Sequence, residues 1–342
     1  MICLAEVIAL KLNSIFCDNM VFAANKPIRV YGQGEGEITV AFNGKTTTVK
    51  AKSGKWLAEF EPMNYGGPYI LEVSQEQEKI VLNNVYIGEV YLCSGQSNMQ
   101  FKLGESTYPK EEYASNKNLR LFSTERMLDN EHFKPKDGWV ICEKETAEHW
   151  SALGYHIGQQ IVKKRGVAVG IIACYQGASC IESWVPKGEL EKRNACVKKE
   201  LRHPDHYWVN FQKFNGDGAL YEFALSQVIP FSVSSVIWYQ GESDAKIEEA
   251  RIYDKELAEL IKIWRNAFCD NTLPFVVVQI ADFINARYKD GWEEVQNAQK
   301  RVINLVNNVT VVESKDLCEN NDIHPPTKHL LGLRIAEELL KQ

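Results

Sequence analysis

A serine attacks a carbonyl carbon only when a base removes its proton and fixed donors face the oxygen that gains charge. Ser97 is placed to meet both conditions. It lies in "VYLCSGQSNMQF" (90–101), where an apolar run of strand-forming residues stops in Ser-Gly-Gln-Ser-Asn and resumes with Met and Phe. A tight strand-to-helix turn at this point would expose one hydroxyl and turn successive backbone N–H groups toward it. Ser94 and Ser97 would also serve as plain caps for the helix that follows.

His324, in "NDIHPPTK", is the candidate base. Asp322 precedes it by two residues, so in an extended segment both side chains leave the same side of the backbone. A carboxylate so placed can accept from imidazole Nδ1–H, fix the tautomer and leave Nε2 for the serine. The proline after His324 biases it toward extended geometry. A loop that merely caps the last helix is the competing account of the same residues.

The oxyanion donors must come from other strand ends. Ser97 N–H is the first. Gly177, in "YQGAS", is the second, because glycine lets a backbone approach a ligand closely. Gln240, in "WYQGESD", is the third: its amide donates, whereas Glu242 as an ionised acid does not. His132, His149, His203 and His206 fall in polar, loop-like segments, and His156 and His329 in helical patterns. "HPDH" (203–206) is too weak a signal for a metal site, so neither metal nor cofactor is expected.

Two kinds of segment must carry these residues. Over 1–85, short runs such as "EITVAFNGKTTTVKA" and "KWLAEFEPM" alternate apolar and polar residues around hairpin-like turns. A small antiparallel β-sandwich is expected there. Over 86–342, strand and helix patterns alternate, which implies a parallel sheet covered on both faces, with reactive residues at the carboxyl ends of its strands. "HWSALGYHIGQQIVKKRG" reads as a helix with Gly166 just past its end, and "IEEARIYDKELAELIKIWRNAF" as one long helix. Residues 102–136 and 187–215, charged and aromatic, read as long loops over the sheet.

The chain of 342 residues carries a net charge of −6 with acids and bases dispersed, which disfavours nucleic acid or an anionic membrane as partner. Nine scattered cysteines form no CxxC pair. Cys174 and Cys180 are a conceivable bridge, and a reducing, cytoplasmic setting is the simpler expectation, with export by another route left open. The opening "MICLAEVIALKLNSIF" has no basic leader and contains Glu6, so it is not read as a signal peptide. No apolar stretch is long enough to span a bilayer. Oligomeric state is not set by these features.

Together "LCSGQSNMQF", "YQGASCIESW", "WYQGESDA" and "NDIHPPTKHLLGLRIA" resemble the sialate O-acetylesterase family of the SGNH (GDSL-like) hydrolases. "FCDNMVFAANKPIRVYGQ" and "MNYGGPYILEV" extend the resemblance to the β-rich front, so it covers nearly the whole chain. The resemblance implies a three-layer α/β/α flavodoxin-like sheet, an acyl-serine mechanism without metal, Ser97, Asp322 and His324 as triad, and Gly177 as oxyanion donor. Two positions depart from the pattern. Ser243 stands where the superfamily usually has Asn, which is why Gln240 is taken as the third donor, and "QGAS" carries Ala178 where Gly-Gly-Thr is common.

Trp184 is a candidate sugar platform and Trp238 a second aromatic beside the site, although tryptophan at a strand end is as often core. Gln96, Asn98 and Glu242 are candidate substrate contacts, and Glu182 a structural residue bonding loop backbone. The expected activity is removal of O-acetyl groups from a sugar or oligosaccharide, sialate first and acetylated xylan as the alternative. A carbohydrate-binding protein with an inert hydrolase domain is the rival from another class.

Overall fold

The computed structural model describes residues 8–128, 131–133, 138–197, 202 and 211–342. The opening segment 1–7 and the histidines His203 and His206 lie outside the described residues.

The front of the chain contributes β1 (Lys11–Leu12), β2 (Val21–Ala23), β3 (Ile28–Gln33), β4 (Glu37–Phe42) and β5 (Lys45–Lys50). It continues with β6 (Lys55–Phe60), β7 (Gly66–Gln75) and β8 (Glu78–Gly95). Along β6 every second residue is buried, as the alternation of apolar and polar types requires for a sheet with one wet face. β1, β3 and β6 form a separate antiparallel sheet, while β4, β5 and β7 join the main sheet through β8.

β8 runs unbroken for 18 residues, pairing with β7 in its first part and with the catalytic strands in its last. The boundary expected at residue 85 therefore falls inside a strand. Phe231 stacks on Phe22 at 5.5 Å and meets Phe16 at 5.8 Å, so front and back share one hydrophobic core.

The remaining strands are β9 (Asn116–Ser123), the small hairpin β10 (Arg126–Leu128) and β11 (Glu131–Phe133), and β12 (Val140–Cys142). They are followed by β13 (Val169–Tyr175), β14 (Ser235–Tyr239), β15 (Phe275–Val278) and β16 (Val309–Val312). The catalytic part of the main sheet has the order β12-β9-β13-β8-β14-β15-β16, and along it every strand is parallel except β12 at the edge. From β13 to β16 this is the 2-1-3-4-5 flavodoxin order that the resemblance implied. All seven residues of β13 are buried, which only a strand covered on both faces can sustain. The α/β/α layering follows, with helix Ala152–Arg165 against helix His329–Leu339, and Tyr253–Ala267 against Lys289–Arg301.

Ser151 caps the first of these helices, accepting from Gly154 N–H, and Gly166 ends it in the left-handed region, as read from sequence. The long helix expected from residue 247 is instead two, Ile247–Ala250 and Tyr253–Ala267. The loop expected over 102–136 contains β9. Arg120 hid it: a charge in "NLRLFS" argues against a buried strand, but its guanidinium lies 4.1 Å from the ring centroid of Tyr86 and is itself 1% exposed. Cys174 and Cys180 are both buried and unbridged.

Candidate active site

The sheet's register sets the site. Tyr175, Gly95 and Tyr239 are paired across β13, β8 and β14, so the residues that follow them leave the sheet side by side at its carboxyl end. Gly95 makes the exit possible. Its φ of 131° lies in the region that favours glycine, and a Cβ there would stand 2.0 Å from Tyr239 O. Gln96 follows, then the one-turn helix Ser97–Gln100.

Ser97 and His324, 227 residues apart in sequence, meet here: His324 Nε2 lies 2.8 Å from Ser97 Oγ. Burial pushes the imidazole below its usual pKa and the ammonium of Lys328 pushes it further, while Asp322 and Glu105 oppose the shift. The neutral ring, the form that accepts a proton, is thereby favoured. Asp322 holds the histidine differently from the expected relay. Its Oδ1 accepts from the backbone N–H of His324 at 2.8 Å, its side chain is exposed, and no hydrogen bond to the ring is present among the described residues.

Two of the expected oxyanion donors are near the serine. Gly177 is one: a Cβ on it would sit 3.7 Å from Ser97 Cβ. Its N–H donates to Gln100 Oε1 at 2.9 Å. Gln240 is a correction. Its amide is fully buried and donates to Gln96 Oε1 (3.1 Å), Ser179 O (3.0 Å) and Asp244 Oδ2 (2.5 Å), while its oxygen accepts from Tyr253 OH. It has no donor left for a ligand and does not line the cleft.

Gln96 occupies the position that Gln240 does not. Its Oε1 accepts from Gly241 N–H and Ser243 N–H, each at 3.3 Å, as well as from Gln240. Backbone donors settle which end of an amide is oxygen. The NH₂ end, with no protein partner among the described residues, belongs to a side chain that lines the cleft beside Ser97.

Asn98 is a second correction: it is 1% exposed and wholly engaged within the protein. Nδ2 donates to Ile323 O (2.9 Å) and Glu242 Oε1 (2.6 Å), and Oδ1 accepts from Lys328 Nζ (2.7 Å). Glu242 does reach the cleft, with Oε2 buried and unpartnered, and burial raises its carboxyl pKa. Trp184 is a third correction. It has no exposed surface, donates from Nε1 to Ser179 Oγ, and packs edge-on to Trp238 at 6.0 Å and near Trp264. Trp238 is equally buried; both are core. Glu182 is structural, but through an ion pair to Arg202 (2.9 Å), which also meets Glu256 at 3.2 Å.

The cleft over Ser97 has a volume of about 600 Å³. Besides the residues already placed, its wall includes Gln176, Phe283, Arg287, Tyr288 and Trp292, none of which was singled out from sequence. For Gln176 a signal existed. "YQG" occurs twice, at 175–177 and 239–241, and the copy set aside is the one whose amide lines the cleft, with Oε1 buried and unpartnered. The other four follow β15 or stand on the next helix, and nothing in their spacing marks them. Among the described residues no cluster of three or more His, Cys, Asp or Glu is arranged to hold a metal ion, and no helix is long and apolar enough to cross a membrane.

The sialate O-acetylesterase of Homo sapiens is 26% identical over 325 residues, covering 85% of this chain and 61% of its own, and that of Mus musculus is 26% identical over 350 residues, covering 85% and 64%. The chain thus spans somewhat under two thirds of the length of these relatives. A crystal structure of a carbohydrate acetylesterase from Xanthomonas citri superposes with a TM-score of 0.81 at 28% identity, covering 95% of this chain and 73% of that one. The family model for "Carbohydrate esterase, sialic acid-specific acetylesterase" matches residues 87–341, and the chain belongs to that family.

Proposed function

We propose that this protein is a serine esterase that removes O-acetyl groups from sugars, with O-acetylated sialic acid as its substrate class. The carrying observation is the 2.8 Å contact between Ser97 Oγ and His324 Nε2. His324 takes the Ser97 proton as the alkoxide attacks the acetyl carbonyl. The oxyanion is held by Ser97 N–H, by Gly177 N–H once the substrate oxygen replaces Gln100 Oε1, and by the amide NH₂ of Gln96. Protonated His324 then gives its proton to the departing sugar oxygen. Water, deprotonated by the same ring, attacks the acetyl-serine and releases acetate, restoring the hydroxyl. Asp322 serves His324 by capping its backbone and through its negative charge.

Arg287 favours sialate over acetylated xylan. It is the guanidinium on the cleft wall among the described residues, and a sialic acid carries a carboxylate for it to pair with, whereas a xylose unit does not. The eight unbridged cysteines among the described residues support a reducing compartment, hence the cytoplasm.

Ser97→Ala is the direct test. It is expected to abolish acetate release from 4-nitrophenyl acetate while leaving the far-UV spectrum and melting transition intact; full residual activity would remove Ser97 from the mechanism. Acetate release from O-acetylated sialic acid, compared with release from acetylated xylo-oligosaccharides, decides the substrate class.

A further inference from the structure

Lys328 is a buried cation that the reaction as written does not use. Its side chain has no exposed surface, and withdrawing an ammonium from water costs several kcal/mol. Its direct contacts are few. One hydrogen bond runs to Asn98 Oδ1 at 2.7 Å, and two ring faces lie close, Phe101 at 5.0 Å and Tyr239 at 5.9 Å. A methionine would fill the same volume among these rings without the desolvation cost.

What the ammonium holds explains why a cation belongs there. Asn98 directly follows Ser97, and its Nδ2 donates to the carbonyl of Ile323, which directly precedes His324. The same Nδ2 reaches Glu242 at the third strand end. With Asn98 Oδ1 pinned by Lys328, the amide cannot flip, and its NH₂ must face Ile323 and Glu242. We propose that Lys328 is a positioning residue of this site, whose buried ammonium keeps Ser97 and His324 in register through Asn98 and presents a fixed positive charge to the imidazole. The proposal rests on the reading of Ser97 and His324 as nucleophile and base.

The charges around the pair are mixed. Cys318, Glu242, Glu319 and Asp322 face Lys328, and Asp322 and Glu105 face His324 along with Lys328 itself. Burial brings the ammonium down to about 8, so it is charged throughout the acid range in which His324 titrates. Its charge disfavours the imidazolium, and neutralising it therefore moves His324 protonation to higher pH.

Three variants separate clamp from charge. Lys328→Gln removes the charge and leaves a neutral donor, one bond shorter, on the Asn98 side. Its acid limb of kcat/KM is expected at higher pH than the wild type's. Lys328→Met removes both, so the same limb shift is expected together with a plateau loss of about tenfold to a hundredfold, the scale of a small misplacement of reacting groups. Asn98→Ala cuts the clamp and keeps the charge: the plateau falls and the limb stays. Melting transitions establish which variants fold.

An acid limb coincident with wild type in either folded Lys328 variant overturns the role of the charge, and an unchanged plateau in Asn98→Ala overturns the clamp. If neither Lys328 variant folds, the Asn98→Ala plateau alone decides. An NMR titration of the His324 ring in wild type and Lys328→Gln reads the charge without any turnover, so it stands even if Ser97→Ala remains active and the esterase reading fails.

Discussion

Replacing Gln96 by glutamate separates the two ends of one side chain. At present Oε1 accepts from Gly241 N–H, Ser243 N–H and the Gln240 amide, while the NH₂ end is the proposed third donor to the oxyanion. A carboxylate keeps the acceptor, so all three donors remain satisfied and the fold is expected to hold. At the other end an oxygen replaces the NH₂. Losing one oxyanion donor costs roughly a hundredfold to a thousandfold in kcat, about 2.7–4 kcal/mol. A negative charge beside a developing oxyanion adds repulsion, about 4 kcal/mol at a separation of 4 Å and an effective dielectric of 20. Gln96→Glu is therefore expected to lose at least about a thousandfold in kcat, with a melting temperature close to wild type. The assay is steady-state release of 4-nitrophenol alongside a thermal melt. Gln96→Leu is the control, since it takes the Gln96 acceptor from Gly241 N–H and Ser243 N–H at about 1–3 kcal/mol each, while Gln240 keeps Ser179 O and Asp244 Oδ2, and it should destabilise as well as inactivate. A folded glutamate variant within tenfold of wild-type kcat would refute the assignment of Gln96.

Asp322→Asn retains an oxygen to cap His324 N–H and loses only the charge. Its kcat should fall by roughly tenfold, far short of the roughly ten-thousandfold loss when a ring-orienting aspartate is changed, and a loss of that larger size would restore the relay. Trp184→Phe should lower unfolding stability by about 1–3 kcal/mol and leave KM for acetylated sugars unchanged, because the ring is core and not a platform. His156, packed edge-on to Tyr108 at 4.6 Å, is pushed down to about 3 by burial and by His329. The unfolded chain then binds a proton that the folded one refuses. Stability is fully present above pH 6.5 and is lost toward pH 3 at about 1.4 kcal/mol per pH unit. Urea unfolding between pH 4 and 7 measures that slope, and it should diminish in His156→Phe.

Much of this was legible in the residues themselves. The change from period-two alternation to alternating strands and helices announced a β front and a covered parallel sheet. The strand ends "SGQSN", "YQGAS" and "WYQGESD", with "NDIHPP", announced a sheet-top site. These signals are local, because backbone preference and solvent exposure act on neighbours in the chain. Arg120 shows the limit of the same logic: its charge suggested a loop, while the ring its buried guanidinium lies against, Tyr86, is on another strand.

Side-chain roles were the part that needed three dimensions. Types and spacing determined that a serine, a histidine and several amides would arrive at the carboxyl end of one sheet. Which of two identical "YQG" amides faces the cleft, which glutamine has a donor to spare, and whether a tryptophan is floor or core depend on the partners each meets across strands. A hydrogen-bonding group serves a ligand only if the fold leaves it unspent, and that count is made among residues far apart in sequence. Lys328 is the clearest case: from sequence it is an ordinary lysine opening the last helix, and only packing against Asn98, Phe101 and Tyr239 makes it a buried charge beside the base.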